Sequence, residues 1–302
     1  MPLPLALFAY ARPQHLASAL TSLRACHGAA AADLTIFCDG ARGPRDAPAV
    51  AEVRAMARAA AAAGGFATVL VVERESNLGL SRSITRGVGE LLQRHDRAVV
   101  IEDDLALSPW FLDYMTAGLE LYAGDAGVAS IHGYLYPVAA TLPETFFMPG
   151  ADCWGWGTWR RAWSCWREDG AALLQELRRR RLTDAFDFGG AAGNTRMLAD
   201  QIAGRNDSWA VRWHAATYLA GMHTLFPGRS LVNNRGCDAG GTHPVRYPVF
   251  DCPLSDRPIR VERVPVEACA AATAAFAAFH RHLRSPWQRL RRRLGGLLGG
   301  AR

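Results

Sequence analysis

The chain has 302 residues, of which 50% are hydrophobic, and it carries a formal net charge of +6. This length and apolar content suffice for a full hydrophobic core and exclude a chain that is disordered throughout. All 34 basic residues are arginine, a bias typical of a GC-rich genome, yet the basic balance still favours anionic ligands and membrane surfaces.

The first part of the chain alternates between strand and helix patterns. Continuous apolar runs predict buried strands, and apolar residues at helical spacing predict amphipathic helices. The predicted strands cover residues 3–10, 34–38, 67–72 and 98–101, and the predicted helices between them cover residues 14–23, 50–63 and 84–92. Strands separated by helices imply an α/β fold with a single, mostly parallel sheet and right-handed crossovers.

Polar residues mark the expected starts of two helices. Ser81 ends the loop of residues 77–81 and is predicted to cap the helix that follows. Ser108 and Pro109 predict an N-cap followed by a proline at the first helical position. They would open an amphipathic helix through Phe111, Leu112, Met115, Leu119 and Tyr122.

Three consecutive carboxylates, Glu102, Asp103 and Asp104, follow the fourth predicted strand. They should emerge at the carboxyl edge of the sheet, where open α/β folds bind ligands. Carboxylates crowded in this way repel one another, and a hard divalent cation relieves the repulsion. A cation held by only one or two protein oxygens keeps coordination sites open for the phosphates of a nucleotide. The triplet therefore predicts a cation and a nucleotide at this edge.

Beyond about residue 130 the sequence becomes rich in glycine, tryptophan and proline. Trp154, Trp156 and Trp159 alternate with small residues, and exposed indole faces stack on sugar rings, although a tryptophan is more often a core residue. Both interpretations stay open for these three rings. The chain divides into residues 1–130, residues 131–250 of the same domain, and a C-terminal extension at 251–302.

The cysteines and the apolar segments bear on the compartment. Seven cysteines form no CxxC pair and are odd in number, which favours free thiols in a reducing cytoplasm. The N-terminal apolar segment lacks the basic region and the length of a secretory signal. No apolar run approaches the roughly 18 residues of a membrane span. We therefore expect a cytoplasmic protein without a membrane-spanning helix.

The order of several short motifs resembles that of GT-A nucleotide-sugar glycosyltransferases. These motifs are FAYARP at residues 8–13, Asp39-Gly40, NLGL at residues 77–80, and EDDL at residues 102–105 with Pro109 and Phe111 just after. The resemblance covers residues 3–245 and extends to bacterial family-2-like proteins and to eukaryotic N-acetylglucosaminyltransferase I of family 13. It implies a GT-A fold with a nucleotide-sugar-binding half at 1–130 and an acceptor and catalytic half at 131–250.

The resemblance implies a role for several charged residues. Asp104, the last acid of the triplet, corresponds to the ligand of a manganese or magnesium ion that bridges the donor diphosphate. Asp103 corresponds to a residue that faces the ribose, and Glu102 belongs to the same donor-binding motif. Asp39 corresponds to the carboxylate that reads the uracil, and Arg12 to a residue near the diphosphate.

Asp207-Ser208-Trp209 resembles the acidic dipeptide and tryptophan that supply the catalytic base in family 13. An inverting transfer needs one carboxylate that takes the proton of the acceptor hydroxyl. The structural alternative is that Asp207 merely caps the following helix. Trp209 and Trp156 are expected to contact the nucleotide sugar. Asn206 and Ser208 depart from the family pattern, which leaves the donor sugar open.

Two further segments are expected to bind anions. Residues 236–243 resemble a glycine-rich loop near the family's nucleotide site, and we expect its last residue, His243, to contact the diphosphate, although a lone histidine is more often structural. The tail at residues 286–302 mixes arginine with tryptophan and leucine, which suits peripheral contact with an anionic membrane. Its glycines weaken a helix, so a disordered basic tail is an equal alternative.

These features predict a metal-dependent, inverting glycosyltransferase that moves a sugar from a UDP-sugar, UDP-GlcNAc or a related hexose, to a surface glycan or a lipid-linked acceptor. One alternative is a nucleotidyltransferase of similar sheet architecture, although residues 9–13 lack the glycines that its phosphate loop would need. Another is a catalytically inactive sugar-binding or scaffold protein, against which Asp104 and Asp207 argue. A nucleic-acid partner is not expected, because the body of the chain has no recognition motif or basic stripe.

Overall fold

The computed structural model of the protein describes residues 2–236 and 248–285. In this part of the chain the strands are β1 (Leu3–Ala9), β2 (Ala32–Cys38), β3 (Thr68–Glu73), β4 (Arg97–Glu102), β5 (Leu105–Leu107), β6 (Val128–His132), β7 (Thr145–Pro149), β8 (Trp156–Trp159), β9 (His223–Pro227) and β10 (Val232–Asn234). The α-helices are α1 (Pro13–Arg24), α2 (Ala47–Ala63), α3 (Gly79–Arg94), α4 (Phe111–Leu121), α5 (Arg160–Trp163), α6 (Gly170–Arg179), α7 (Thr183–Phe186), α8 (Asn194–Ile202), α9 (Trp209–Leu219) and α10 (Ala270–Leu283).

Eight strands form one mixed sheet in the order β3-β2-β1-β4-β8-β6-β9-β7. The four strands predicted from the sequence, β1 to β4, are parallel to one another. β8 runs antiparallel to both of its neighbours, β4 and β6, while β6 and β9 are parallel and β7 is antiparallel to β9. The predicted α/β fold, with a mostly parallel sheet flanked by helices, is confirmed. The division expected near residue 130 falls inside β6, so one sheet runs through both halves.

Alternating side chains of the central strands supply two separate cores. One face carries Leu5 and Leu7 of β1 and packs against α1, α2 and α4, together with Ile36, Val99 and Ile101. The opposite face carries Ala6 and Phe8 and packs against α3, α5 and α9, together with Phe37, Ala98 and Val100. Because both faces are covered, all seven residues of β1 are buried, which is why the strand is a continuous apolar run in the sequence.

The start of α3 differs from the sequence expectation. The helix begins at Gly79, so Ser81 lies inside its first turn and does not cap it. The hydroxyl of Ser81 is buried and accepts a hydrogen bond from Arg212 of α9. The serine therefore joins two helices, which a local capping pattern does not anticipate.

The start of α4 also lies further along the chain than expected. The helix begins at Phe111, and Ser108 holds the turn ahead of it by accepting a hydrogen bond from the backbone N–H of Trp110 at 3.2 Å. The hydroxyl of Ser108 donates to the backbone carbonyl of Ser255 at 2.7 Å. This buried serine thus ties the turn to the extended segment that precedes α10.

The helices and the cysteines can be compared with the sequence expectations. Within residues 2–236 and 248–285, no helix is long and apolar enough to cross a bilayer. The cysteines of the same residues, at positions 26, 38, 153, 165, 252 and 269, are free thiols. Cys237 and the basic tail at 286–302 lie outside the described residues.

Gly87 of α3 provides a test of the packing between this helix and the sheet. The rings of Phe8 and Phe37 stack with centroids 4.9 Å apart, and a Cβ on Gly87 would lie 2.5 Å from Cε1 of Phe8. Gly87→Ala should lower the free energy of unfolding, because overpacking costs about 1 to 3 kcal/mol and the gain in helix propensity offsets only about 1 kcal/mol. Urea denaturation followed by circular dichroism measures the change.

Gly89→Ala on the same helix is the matched control. A Cβ on Gly89 would come no closer than 4.0 Å to a neighbouring atom, so this variant should be at least as stable as the wild type. Equal stabilities for the two variants would contradict the packing described for Gly87.

Candidate functional site

Three carboxylates lie at the carboxyl end of β4, as the sequence predicts. Glu102 is the last residue of β4 and pairs with Phe8 of β1, and Asp103 and Asp104 form the turn that follows. The backbone N–H of Asp103 donates to the carbonyl of Phe8 at 3.0 Å, and its carboxylate accepts the N–H of Tyr10 at 3.2 Å. The ends of β1 and β4 are therefore tied together at the acidic turn.

Arg12, in the loop between β1 and α1, bridges two of the acids. Its Nη2 donates to the carboxylate of Asp103 and to Oδ2 of Asp104, the second at 3.0 Å. Burial lowers the pKa of Arg12, but Asp103 and Asp104 outweigh burial, so the pKa is raised. The guanidinium supplies the positive charge that offsets part of the acidic turn. Arg12 thus lies at the acidic motif, at the end of the sheet where the resemblance implies a diphosphate.

Burial and crowding favour the protonated forms of two of these carboxyls. Burial raises the pKa of Glu102 well above its usual range, and Asp104 and Asp103 add to the effect. Burial also raises the pKa of Asp103 to about 7, with Arg12 opposing the shift and Asp104 reinforcing it. A cation bound at the turn would favour the ionised forms of both groups.

Asp104 has the free oxygen that a cation site requires. Its Oδ1 is buried and has no hydrogen-bond partner among the residues that the structure describes. A buried carboxylate oxygen without a partner is costly within the protein alone and suits a hard cation. In the described ranges no three His, Cys, Asp or Glu side chains gather into a metal cluster. An ion at this turn would therefore find one free carboxylate oxygen, Oδ1 of Asp104, among the described residues.

The antiparallel pair β5 and β10 brings another chain segment against Asp104. The backbone N–H of Arg235 donates to the carbonyl of Asp104 at 2.8 Å. A Cβ on Gly236 would lie 2.1 Å from Oδ2 of Asp104, so only glycine allows this close approach. Gly236 begins the glycine-rich segment singled out from the sequence. The remainder of that segment, including His243, lies outside the described residues.

Asp39 follows β2 and fixes the loop that precedes α3. Its Oδ1 accepts the N–H groups of Gly40 at 2.8 Å and Leu78 at 2.9 Å. Its Oδ2 accepts the N–H of Gly79 at 3.0 Å and Nδ2 of Asn77 at 3.1 Å. A carboxylate accepts about four hydrogen bonds, so these donors engage the whole side chain. The uracil contact expected of Asp39 would have to replace one of them.

Ser208, and not Asp207, caps α9. The hydroxyl of Ser208 accepts the N–H of Val211 at 3.2 Å, so the capping interpretation of Asp207 is wrong. The carboxylate of Asp207 is exposed and lies at the start of α3, where a Cβ on Gly79 would be 3.7 Å from its Oδ2. Since Gly79 is also bonded to Asp39, Asp207 lies beside the loop that Asp39 holds.

Arg212 is a buried residue that sequence patterns do not single out. It lies on α9, where Nη1 donates to the carbonyl of Glu168 at 3.1 Å and Nη2 donates to Ser81 of α3. Burial lowers the pKa of Arg212, while the nearby Asp207 opposes the shift. The arginine ties α9 to α3 and so fixes the position of Asp207. The sequence feature that could indicate this role is the position of Arg212 in a helix between the apolar residues Val211 and Trp213.

Trp156 and Trp209 do not have the sugar-contacting role expected from the sequence. Trp156 is 0% exposed and Trp209 is 2% exposed, and their ring centroids are 5.5 Å apart in the core between the sheet and α9. A ring with no accessible face cannot stack on a sugar, so both expected contacts with the nucleotide sugar are replaced by a core role. Trp159 is buried as well. Trp154 is half-buried and is the ring of the Trp/Gly motif that remains open to solvent.

No protein-family profile and no curated protein sequence matches the chain. Among solved structures, S. aureus TarS 1-349 shares 10% identity over 59% of this chain and 49% of its own, with a TM-score of 0.37. Mannose-1-phosphate geranyltransferase from Thermus thermophilus shares 14% identity over 77% of this chain and 75% of its own, with a TM-score of 0.35. The chain spans 20% and 49% of the two TarS structures that it matches. A likeness at this level does not establish a shared activity.

Proposed function

We propose that this protein is a GT-A glycosyltransferase. It would transfer a sugar from a UDP-sugar, UDP-GlcNAc or a related hexose, to a hydroxyl group of a surface glycan or a lipid-linked acceptor. The observation that carries the proposal is the acidic turn after β4, where Arg12 bridges Asp103 and Asp104 and where Asp104 keeps an unpaired buried oxygen. The order of the sequence motifs supports the GT-A assignment.

The donor diphosphate would bind at the acidic turn. Asp104 would hold a divalent cation, Mn²⁺ or Mg²⁺, which when bound offsets the negative charge on the departing nucleotide. The guanidinium of Arg12 has the charge and the planar donors that match phosphate oxygens. Gly236 lets the backbone approach the same region closely. Asp103 would face the ribose, so that the ends of β1 and β4 orient the donor.

Asp207 would act as the catalytic base. Its exposed carboxylate would take the proton of the acceptor hydroxyl while the hydroxyl oxygen bonds to the anomeric carbon. The bond from that carbon to the diphosphate breaks in the same step, which inverts the configuration. Ser208 provides the cap of α9, so the carboxylate of Asp207 is not required for capping. Arg212 would hold α9 and α3 at the separation that this geometry needs.

A donor screen tests the proposed function against its alternatives. The protein and manganese are incubated with UDP-, GDP- and CMP-sugars, with and without glycan acceptors, and separately with nucleoside triphosphates and sugar phosphates. The products are separated by anion-exchange chromatography. We expect slow release of UDP from a UDP-sugar by the wild type. Release of pyrophosphate from a nucleoside triphosphate and a sugar phosphate would instead identify a nucleotidyltransferase. Nucleotide binding without any turnover, with acceptors supplied, would identify an inactive sugar-binding protein.

The metal role of Asp104 has its own test. Asp104→Asn removes the anionic oxygen that a hard cation prefers, so UDP binding should lose its dependence on manganese. Isothermal titration calorimetry with and without manganese measures this on variants whose melting temperature is unchanged. Manganese-stimulated UDP binding by folded Asp104→Asn at the wild-type level would exclude Asp104 as the ligand.

The base role of Asp207 is tested by a nearly isosteric change. Asp207→Asn should keep UDP affinity and lose a factor of about 10² to 10⁴ in transfer rate, because the amide cannot accept the proton. Ser208→Ala is the matched control: it should lower the free energy of unfolding by about 0.5 to 2 kcal/mol and leave the transfer rate of the folded protein within a few-fold of the wild type. Transfer by Asp207→Asn at the wild-type rate would move the base to another residue.

A further inference from the structure

A second polar cluster lies at the same edge of the sheet as the acidic turn. β8 runs between β4 and β6, and Trp156 of β8 is opposite Val100 on one side and His132 on the other. Because β8 is antiparallel to β4, the residues before Trp156 leave the sheet beside the residues that follow Val100. Asp152 belongs to the first of these segments. Sequence motifs do not single it out.

Asp152 is held in one orientation and keeps part of its hydrogen-bonding capacity. Its Oδ1 accepts the backbone N–H of Cys153 at 2.8 Å, and its Oδ2 accepts the hydroxyl of Tyr136 at 2.9 Å. A carboxylate accepts about four hydrogen bonds, so about two positions remain for a ligand. The side chain is 25% exposed, and a ligand can reach it.

His132 is the second member of the cluster. Its side chain is 0% exposed, and Nε2 lies 3.8 Å from Oδ2 of Asp152. Neither ring nitrogen has a hydrogen-bond partner among the described residues, which is unusual for a buried imidazole. Burial lowers the pKa of His132 to about 4, against the opposing effect of Asp152, so the ring is neutral at pH 7. The ring lies behind Asp152, and its unpartnered nitrogens leave the polar groups of this cluster incompletely paired.

The register of β8 places this cluster beside the acidic turn. Val100 is opposite Trp156, so the segment that precedes Trp156 runs out of the sheet beside Ile101 and Glu102, which follow Val100. Adjacent strands of a sheet are about 4.8 Å apart, and β8 is the neighbour of β4. A group bound at Asp152 would therefore lie at the same edge of the sheet as a diphosphate bound at Asp104.

We propose that Asp152, with the buried His132 behind it, forms the subsite that binds hydroxyl groups of the sugar carried by the donor nucleotide. The inference rests on the proposed function, because the sugar would be attached to the diphosphate at Asp104. A carboxylate at a fixed position accepts from hydroxyls of one configuration and leaves a stereoisomer incompletely paired. Asp152 is then a specificity-determining residue, and Tyr136 is a positioning residue that orients its carboxylate.

Titration calorimetry with manganese tests the subsite by comparing UDP with UDP-glucose, UDP-galactose and UDP-GlcNAc. Asp152→Asn should bind UDP as the wild type does and bind the preferred UDP-sugar about tenfold more weakly, the loss expected for one hydrogen bond to a charged group. Tyr136→Phe should weaken the same UDP-sugar by a smaller factor and leave UDP unchanged. Asp113→Asn, an exposed carboxylate on α4, is the control and should change neither affinity.

The outcomes separate this inference from the proposed function. Unchanged UDP-sugar affinities in folded Asp152→Asn, or an equal loss for UDP and UDP-sugars, would overturn the subsite. Altered transfer with unaltered donor affinity would assign Asp152 to the acceptor and would also overturn it. If Asp152→Asn does not fold, an unchanged sugar preference in Tyr136→Phe overturns the subsite instead. A wild type that binds none of these nucleotides would overturn the proposed function and the subsite with it.

Discussion

The burial of three neighbouring carboxyl groups at the carboxyl end of β4 is the constraint on which the site depends. Glu102, Asp103 and Asp104 are consecutive and largely buried, and their own bonds do not balance their charge. Arg12 offsets part of that charge by bridging Asp103 and Asp104, which fixes the loop after β1. One oxygen of Asp104 remains buried and without a hydrogen bond among the described residues. An arrangement of this kind costs stability in the free protein, and such costs concentrate where a ligand later provides the compensating charge.

The parallel half of the fold follows from the sequence for a simple reason. A strand buried on both faces is a continuous apolar run, so β1 to β4 can be recognised in the sequence. Each crossover between them contains a helix with apolar residues at helical spacing, which is a second recognisable pattern. The antiparallel half lacks such marks, because β8 is four residues long and lies in a Trp/Gly-rich segment. The starts of α3 and α4 differ from the predicted positions because Ser81 bonds to Arg212 of α9, and because Ser108 joins the turn at Trp110 to the distant Ser255.

Site residues that directly follow a predicted strand could be placed from the sequence, whereas residues brought together by strand pairing could not. The acidic turn and Asp39 follow predicted strands directly, so their place at the carboxyl edge required only the strand order of a parallel sheet. The meeting of Asp152 with His132 depends on β8 entering between β4 and β6, and no local pattern encodes that pairing. Tryptophan content likewise does not reveal which rings keep an accessible face. Trp156 lies in the core, whereas Trp154, two residues earlier, does not.

The internal hydrogen bonds of Asp39 connect the sheet to the proposed base. Asp39 holds the backbone of Leu78 and Gly79, the start of α3 lies against Asp207, and Arg212 joins α3 to α9 through Ser81. The hydrogen bonds of Asp39 and of Arg212 involve buried or backbone groups, so they hold the start of α3 and the helix α9 on either side of Asp207. Placement of a reacting group to a fraction of an ångström requires support of this kind, because the rate of transfer falls steeply when the group is displaced. A carboxylate whose oxygens are all engaged within the protein can therefore still help to position the proposed base.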